Sequence, residues 1–549
     1  MWEFIKTPLM DQQYALGIDF GTESGRVMLV RLADGEEIAY AVVPYPSGVI
    51  DRRLPSGLPL DRDWALQDPR DYLTVLTEGV LKVMRESGAT AESIAGIGVD
   101  FTACTMLPTL ADGTPLCTLP QYAGNPHAWV KLWKHHAAQP EATRINELAA
   151  ARGEDFLRVY GGKVSSEWFF SKSLQILDEA PEIYAAADRL IEAADWIVWR
   201  MTGQERRNEC TAGYKGMWIK GKGFPPEDFL RALHPGLESI GGKLAAEYHA
   251  LGARAGGLTE ELAQATGLRA GTPVAVGNVD AHAAVPACGV TRPGSLVMIM
   301  GTSICHMLLA SERRFVEGMC GVIEDGIVPG LWGYEAGQSG AGDIYAWLFR
   351  TVGVPPEALT EKALALKPGQ TGLLALDWWN GNRSVLVDAD LTGLLIGATI
   401  STRPEEIYRA LVEATAFGTY TIIRAFEKEG VEIGELVACG GLAQKSPLVM
   451  QVFSDVTNRS IRLPRSVQAS GLGAAMHGAV AGGAYPDIGE AAFRMAGTQA
   501  LEYKPNAQAH AIYDRLYAEY LTLHDYFGRG ANDCMKRLKA LQREVSGAG

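Results

Sequence analysis

A chain of 549 residues is too long for one hydrophobic core, so two large domains are expected. With 47% hydrophobic and 21% charged residues it reads as globular, and a net charge of −14 argues against a nucleic-acid surface, which needs a basic face. No run is long enough for a membrane span, and Met1 to Lys6 lacks the basic-then-apolar pattern of a signal peptide. The eight cysteines, at 104, 117, 210, 288, 305, 320, 439 and 534, form no C-x-x-C pair. They read as free thiols in a reducing cytoplasm and give no support to zinc.

The stretch Leu16 to Val30 reads as strand, tight turn, strand. Its apolar run ends in Asp19, and Phe20-Gly21-Thr22-Glu23-Ser24-Gly25-Arg26 follows. Such a turn presents backbone N–H groups and the Thr22 and Ser24 hydroxyls at one point, which suits phosphate oxygens. Gly21 lets a ligand approach the backbone. Asp19 is placed to hold Mg²⁺ beside those phosphates, and Arg26 to add a charge-assisted contact. A plain hairpin with one acid is the alternative at this point.

Glu37 to Val43 reads as a third strand, and Tyr45 to Asp68 as a surface loop. Asp68 caps a helix that Pro69 opens. Its expected apolar face is Tyr72, Leu73, Leu76, Val80, Leu81 and Val83. Ile94 to Val99 is a short buried strand delivering Asp100, Phe101, Thr102, Ala103 and Cys104 to its end, where open α/β sheets bind ligands. The order strand, strand, strand, helix, strand is an actin-like plan rather than a Rossmann plan.

Further on, Ser165 or Ser166 can cap a helix. Trp168, Phe169 and Phe170 either line a sugar pocket or pack that helix to the sheet. Asp195 to Trp199 reads as a buried helix. Lys215 stands among small residues and aromatics in Thr211 to Trp218. There it can donate to a substrate hydroxyl or carbonyl; an exposed loop lysine is the alternative. An apolar strand from Pro273 ends at Gly277, and Asp280 follows at the start of a helical segment. A carboxylate so placed is a candidate general base. His282 reads as a core or supporting histidine.

Ser295 to Leu309 repeats the opening pattern: an apolar strand, then Gly301-Thr302-Ser303, then another apolar strand. Two such turns about 280 residues apart suggest two related halves. Glu335 lies where it could accept from substrate hydroxyls. The small residues after it, Gly340 among them, would let a helix N-terminus approach a nucleotide. Asp377 to Arg383 is a polar, aromatic turn with no role assigned. A long amphipathic helix is expected from Pro404 to Glu429. Leu436 to Cys439 is a strand entering Gly440-Gly441, a turn against which adenine or ribose could lie. Ala469 to Gly483 reads as a small-residue helix. From Ala507 the chain reads as two helices without catalysis.

The set Asp19-Phe20-Gly21-Thr22, Gly277 to Asp280, Gly301-Thr302-Ser303 and Gly440-Gly441-Leu442-Ala443 resembles the FGGY carbohydrate kinase family, from about residue 15 to 490. Tyr160 to Lys172, Ala212-Gly213-Tyr214-Lys215, and Glu335 to Ser339 with Gly342 to Trp347 look most like the L-ribulokinases of that family. The resemblance implies an α/β fold of two actin-like (ribonuclease H-like) ATPase domains with a cleft between them. It places a sugar and phosphate/Mg²⁺ domain at 12–288, a nucleotide domain at 289–490 and a helical extension at 491–549. It implies ATP and Mg²⁺ as cofactors, and L-ribulose converted to L-ribulose 5-phosphate in L-arabinose catabolism. It admits a homodimer and implies no nucleic-acid or membrane partner.

By that resemblance Asp280 is the base and, with Asp19, a metal ligand. Ala103, Lys215, Asp280 and Glu335 bind the sugar. Gly21, Thr22, Ser24, Arg26, Gly301, Thr302, Gly340, Gly440, Gly441 and Lys445 bind the nucleotide. Two stretches depart from the family pattern: Phe101 to Cys104 at the sugar pocket, and Gln444 to Pro447 at the adenine edge. Kinases of xylulose, fuculose or glycerol are the nearest alternatives. A sugar-binding regulator and an actin-like or chaperone-like ATPase are more distant ones. The last has no reason to place Asp280 with Lys215 and Glu335.

Overall fold

The structure is a computed structural model and describes residues 12–545. The reading of Met1 to Lys6 lies outside those residues. The chain divides into two compact units that interleave along the sequence. The first takes residues up to Thr291, then Ile323–Gly333 and Gln468–Gly497. The second takes Arg292–Val322, Tyr334–Val467 and the chain from Thr498. Segment 468–497, expected to be shared between the second domain (to 490) and the helical extension (from 491), is counted with the first unit.

The first unit is built on a sheet ordered Arg254–Gly257, Pro273–Ala275, Ile94–Phe101, Tyr14–Phe20, Ser24–Arg31, Glu37–Pro44. Tyr14–Phe20 pairs antiparallel with Ser24–Arg31 and parallel with Ile94–Phe101. The parallel register sets Asp19 opposite Asp100. The short strand Asn278–Val279 joins the same edge, with Asn278 opposite Asp100. Three acid-bearing segments therefore end at one rim of the sheet.

Both faces of the first strand are covered. Leu16, Ile18 and Phe20 are fully buried, as a strand between two helical layers requires. On one side lies the run Pro69–Ser87, helical throughout, with Tyr72, Leu76, Val80 and Val83 buried. Asp68 caps it as expected, its carboxylate accepting from the Arg70 N–H at 3.0 Å. Leu81 departs from the expectation and is exposed, because it falls outside the buried arc of the helix. On the other side the helix Ala469–Ala481 lies directly on the glycines of the two central strands.

The second unit repeats the plan. Ser295–Met300 pairs antiparallel with Ile304–Ala310 and parallel with Glu435–Cys439. Its sheet runs Gly321–Glu324, Trp332–Gln338, Ile304–Ala310, Ser295–Met300, Glu435–Cys439, Ile461–Pro464, Thr498–Tyr503. The long helix Pro404–Lys428 packs within this unit. Two helices, Ala507–Gly528 and Cys534–Val545, follow the last strand. All eight cysteines are free thiols. Among the described residues no helix is long and apolar enough to cross a membrane.

Candidate active site

Asp19 is the penultimate residue of the first strand and is buried. Its Oδ2 accepts from Arg26 Nη1 at 3.1 Å, across the hairpin pair Asp19–Arg26. The arginine expected to meet phosphate is thus already engaged by the acid beside it. The turn between them is closed by the Gly21 N–H donating to Ser24 O at 3.1 Å. Thr22 is held from two sides. Its hydroxyl accepts from Trp133 Nε1 at 3.0 Å, and its carbonyl from Gln67 Nε2 at 2.8 Å.

Asp100, which the sequence placed at a ligand-binding strand end without a role of its own, is the addition the structure makes. It is fully buried, and neither carboxylate oxygen finds a nitrogen or hydroxyl donor. Its neighbours are the carboxylates of Asp19 and Asp280. Burial, and then the charges of Asp19 and Asp280, push its pKa well above the usual range. Burial likewise raises Asp19, against the opposing charge of Arg26. The available signal was an acid standing alone at the end of the apolar run Ile94 to Val99.

Asp280 occupies the first position of the helix Asp280–Ala287, directly after the short strand Asn278–Val279. Its Oδ1 accepts from the Ala281 N–H at 2.6 Å. An acidic side chain in the first turn of a helix interacts favourably with the helix dipole. Asp280 is only partly buried, whereas His282 two residues on is fully buried. His282 stacks on Tyr214 at 4.2 Å and meets the Cys210 thiol at 3.1 Å. It supports the site from within the core, in line with the sequence reading.

Asp19, Asp100 and Asp280 come together at this rim without forming a closed cage. Among the described residues no group of three His, Cys, Asp or Glu is arranged as a metal-binding cluster. Asp100, with both oxygens unfilled, lies beside the carboxylates of Asp19 and Asp280, and a bound cation would favour the charged forms of all three. Mg²⁺ suits such a rim, because it keeps several waters and takes only one or two carboxylates together with substrate phosphates.

Lys215 ends the helix Glu209–Lys215 and is 5% exposed, so it is not a loop lysine in solvent. The helix is fixed at its start by Asn208, whose side chain accepts from the Thr211 N–H at 2.7 Å. Asn208 is held in turn by the buried Asp195, at 2.7 and 3.0 Å. The Lys215 ammonium lies 5.3 Å above the Trp168 ring. Trp168 precedes the helix Phe169–Glu179. Neither Ser165 nor Ser166 caps that helix; it starts later, and the Ser165 hydroxyl accepts from Glu167 N–H in the preceding turn.

Ala103 is half-buried at the end of the strand that carries Asp100. The buried Lys172 fixes this segment, donating to the carbonyls of Cys104 at 2.6 Å and Leu132 at 2.8 Å. Desolvation lowers the Lys172 pKa to about 8. Asp19, Thr22, Arg26, Ala103, Lys215 and Asp280 all belong to the first unit.

The second unit gathers the other set. The Gly301 N–H donates to Ser303 O at 2.9 Å, closing the turn. The carbonyls of Gly301 and Thr302 then accept from Gly342 and Ala341 at 3.2 and 2.8 Å. This joins the turn to the segment containing Gly340 and to the start of the helix Gly342–Val352. Gly440 has φ of 91°, and a Cβ there would lie 2.5 Å from the Met300 carbonyl oxygen. Only glycine fits at that point. Gly441 faces open space at the start of the short helix Gly441–Lys445, and Lys445 is exposed at its far end. Glu335 is buried on the strand Trp332–Gln338 and belongs to this unit.

Residues 14–286 match the N-terminal domain, and residues 296–482 the C-terminal domain, of the FGGY family of carbohydrate kinases. The chain is 57% identical to a ribulokinase of Halalkalibacterium halodurans over 97% of its length and 98% of that protein. It is 48% identical to a ribulokinase of Mycolicibacterium smegmatis, over 98% of each. Its fold matches the ligand-bound xylulose kinase from Lactobacillus acidophilus with a TM-score of 0.80 at 18% identity, over 94% of this chain and 99% of that one. With two repeated α/β units and whole-chain similarity of this extent, the chain belongs to the FGGY family of carbohydrate kinases and is a sugar kinase.

Proposed function

We propose that this kinase transfers the γ-phosphoryl group of ATP to the 5-hydroxyl of L-ribulose, giving L-ribulose 5-phosphate for L-arabinose catabolism in the cytoplasm. The observation that carries the reading is the buried Lys215, presented at a helix end in the unit that also holds Ala103 and Asp280. An ammonium donates to hydroxyls and carbonyls, and a polyhydroxylated substrate offers both. The names of the 57% and 48% identical relatives support ribulose as that substrate.

In this reading Asp280 takes the proton from the 5-hydroxyl as the oxygen attacks the γ-phosphorus in line. The Gly21-Thr22 and Gly301-Thr302 turns donate to phosphate oxygens through backbone N–H groups and hydroxyls. Gly440 and Gly441 offer bare backbone to the adenosine. Asp19, Asp280 and Asp100 would hold Mg²⁺, which when bound offsets the phosphate charge. Ala103 leaves room beside the sugar chain, while Lys215 donates to it and Glu335 accepts from it.

ADP release measured over a panel of pentuloses and polyols tests this. L-Ribulose should give the highest kcat/KM. Each buried group left without its partner by an epimer costs roughly 1–3 kcal/mol. Lys215→Ala and Glu335→Ala should each raise the sugar KM about tenfold or more with little change in the ATP KM. A higher kcat/KM with xylulose, fuculose or glycerol would reassign the sugar and leave the kinase standing. An unchanged sugar KM in both variants would remove these two residues from the pocket.

A further inference from the structure

The helix Ala507–Gly528 lies beyond both stretches that match the family. It nevertheless reaches the buried polar core of the second unit. Tyr520, fully buried, donates its hydroxyl to Asp377 Oδ1 at 2.9 Å. Asp377 Oδ2 accepts from Gln338 Nε2 at 2.7 Å. Gln338 Nε2 also donates to Thr415 O at 2.9 Å, and its Oε1 accepts from the Thr419 hydroxyl at 2.6 Å. Thr419 meets His306 Nε2 at 3.1 Å, on the strand that leaves the Gly301–Ser303 turn.

Gln338 is the last residue of its strand, two positions before Gly340. The backbone that follows is the one hydrogen-bonded to Gly301 and Thr302. The packing around this chain of contacts is tight. A Cβ on Gly418 would lie 2.3 Å from Gln338 Nε2 and 2.5 Å from Asp377 Oδ2. A buried carboxylate costs free energy unless its oxygens are filled, and here neutral donors fill them.

We propose that Tyr520 is a positioning residue for nucleotide binding: through Asp377 it sets Gln338, and Gln338 sets the Gly340–Asp343 segment and the Gly301-Thr302 turn. The inference rests on those turns binding ATP and not on which sugar is used.

Asp377 gives the arrangement a signature. Burial raises its pKa to about 6, and the bonds from Gln338 and Tyr520 limit that rise. The ionisable groups facing it are Tyr520 on the C-terminal helix and Tyr345 on the helix Gly342–Val352. From Pro404–Lys428 it meets Gly418, while the nearby Thr415 holds Gln338. Protonation replaces the charged acceptor of Gln338 by a weaker, neutral one. Removing the Tyr520 hydroxyl therefore moves that event to higher pH.

The test is direct titration of the whole chain with ATP by calorimetry between about pH 5.5 and 8, with no sugar, so that failure to phosphorylate ribulose leaves the readout intact. Tyr520→Phe should weaken ATP binding about 3- to 10-fold, the range of one hydrogen bond, with the weakening on acidification starting at a higher pH than in the parent. Titration of ATP itself cancels in that comparison. Asp377→Asn, which cannot ionise there, should keep only the pH dependence that ATP's own titration produces. ATP binding by Tyr520→Phe that equals the parent at every pH would overturn the proposal. So would a weakening of equal size at all pH values, or a pH step in Asp377→Asn as large as that of the parent.

Discussion

Asp280→Asn should lower kcat by at least about 10²-fold while ATP binding is largely kept. The substitution preserves shape. The asparagine oxygen can still accept from the Ala281 N–H, the contact Asp280 makes at 2.6 Å. It cannot accept the proton of the attacking hydroxyl. A positioned base is worth about 10²–10⁴-fold, so the loss should fall on the chemical step. Single-turnover phosphorylation measured beside ATP titration separates the two effects. Near-normal turnover would remove Asp280 from the role of base. Lost turnover together with lost ATP binding would instead make it chiefly a ligand of the metal–nucleotide complex.

Gly98→Ala should be among the most damaging changes to the fold, costing about 3 kcal/mol or more. A Cβ at Gly98 would lie 1.8 Å from the Ala474 carbonyl oxygen, and one at Gly17 on the adjoining strand 1.9 Å from the Gly471 carbonyl oxygen. Both obstacles are backbone, so no side chain can turn aside. The helix Ala469–Ala481 would have to lift from the sheet that ends in Asp19 and Asp100. Gly241→Ala is the control: it lies in the helix Ile240–Leu244 with nothing within 4 Å of its Cβ, and alanine favours a helix. Urea unfolding should show a large drop in midpoint for the first variant and no drop for the second. A midpoint for Gly98→Ala within about 1 kcal/mol of the parent would mean that the helix and sheet do not approach this closely.

What the sequence determined alone was everything carried by local pattern. The apolar run ending in Asp19, the Gly21-Thr22 turn and the return strand are contiguous, so their chemistry shows in one dimension. The repeat at Gly301-Thr302 is contiguous too, and the pair led to the kinase family. Asp68 and Pro69 announced a helix start because capping acts within a few residues. Lys215 stood out by its small and aromatic neighbours, although an exposed loop lysine stayed open until the fold buried it.

The tertiary structure decided whatever depends on residues distant in the chain. Asp100 became notable only when the parallel register set it opposite Asp19 and brought Asp280 beside it, some 180 positions further on. Arg26 read as a free cation until its ion pair with Asp19 was seen. The glycines of Ala469–Ala481 read as composition until the helix was seated on Gly17 and Gly98. Tyr520 and Asp377, 143 positions apart, had no role until one hydrogen bond joined them. Burial and proximity set the energy of a carboxylate, and both are properties of the folded chain rather than of its local sequence.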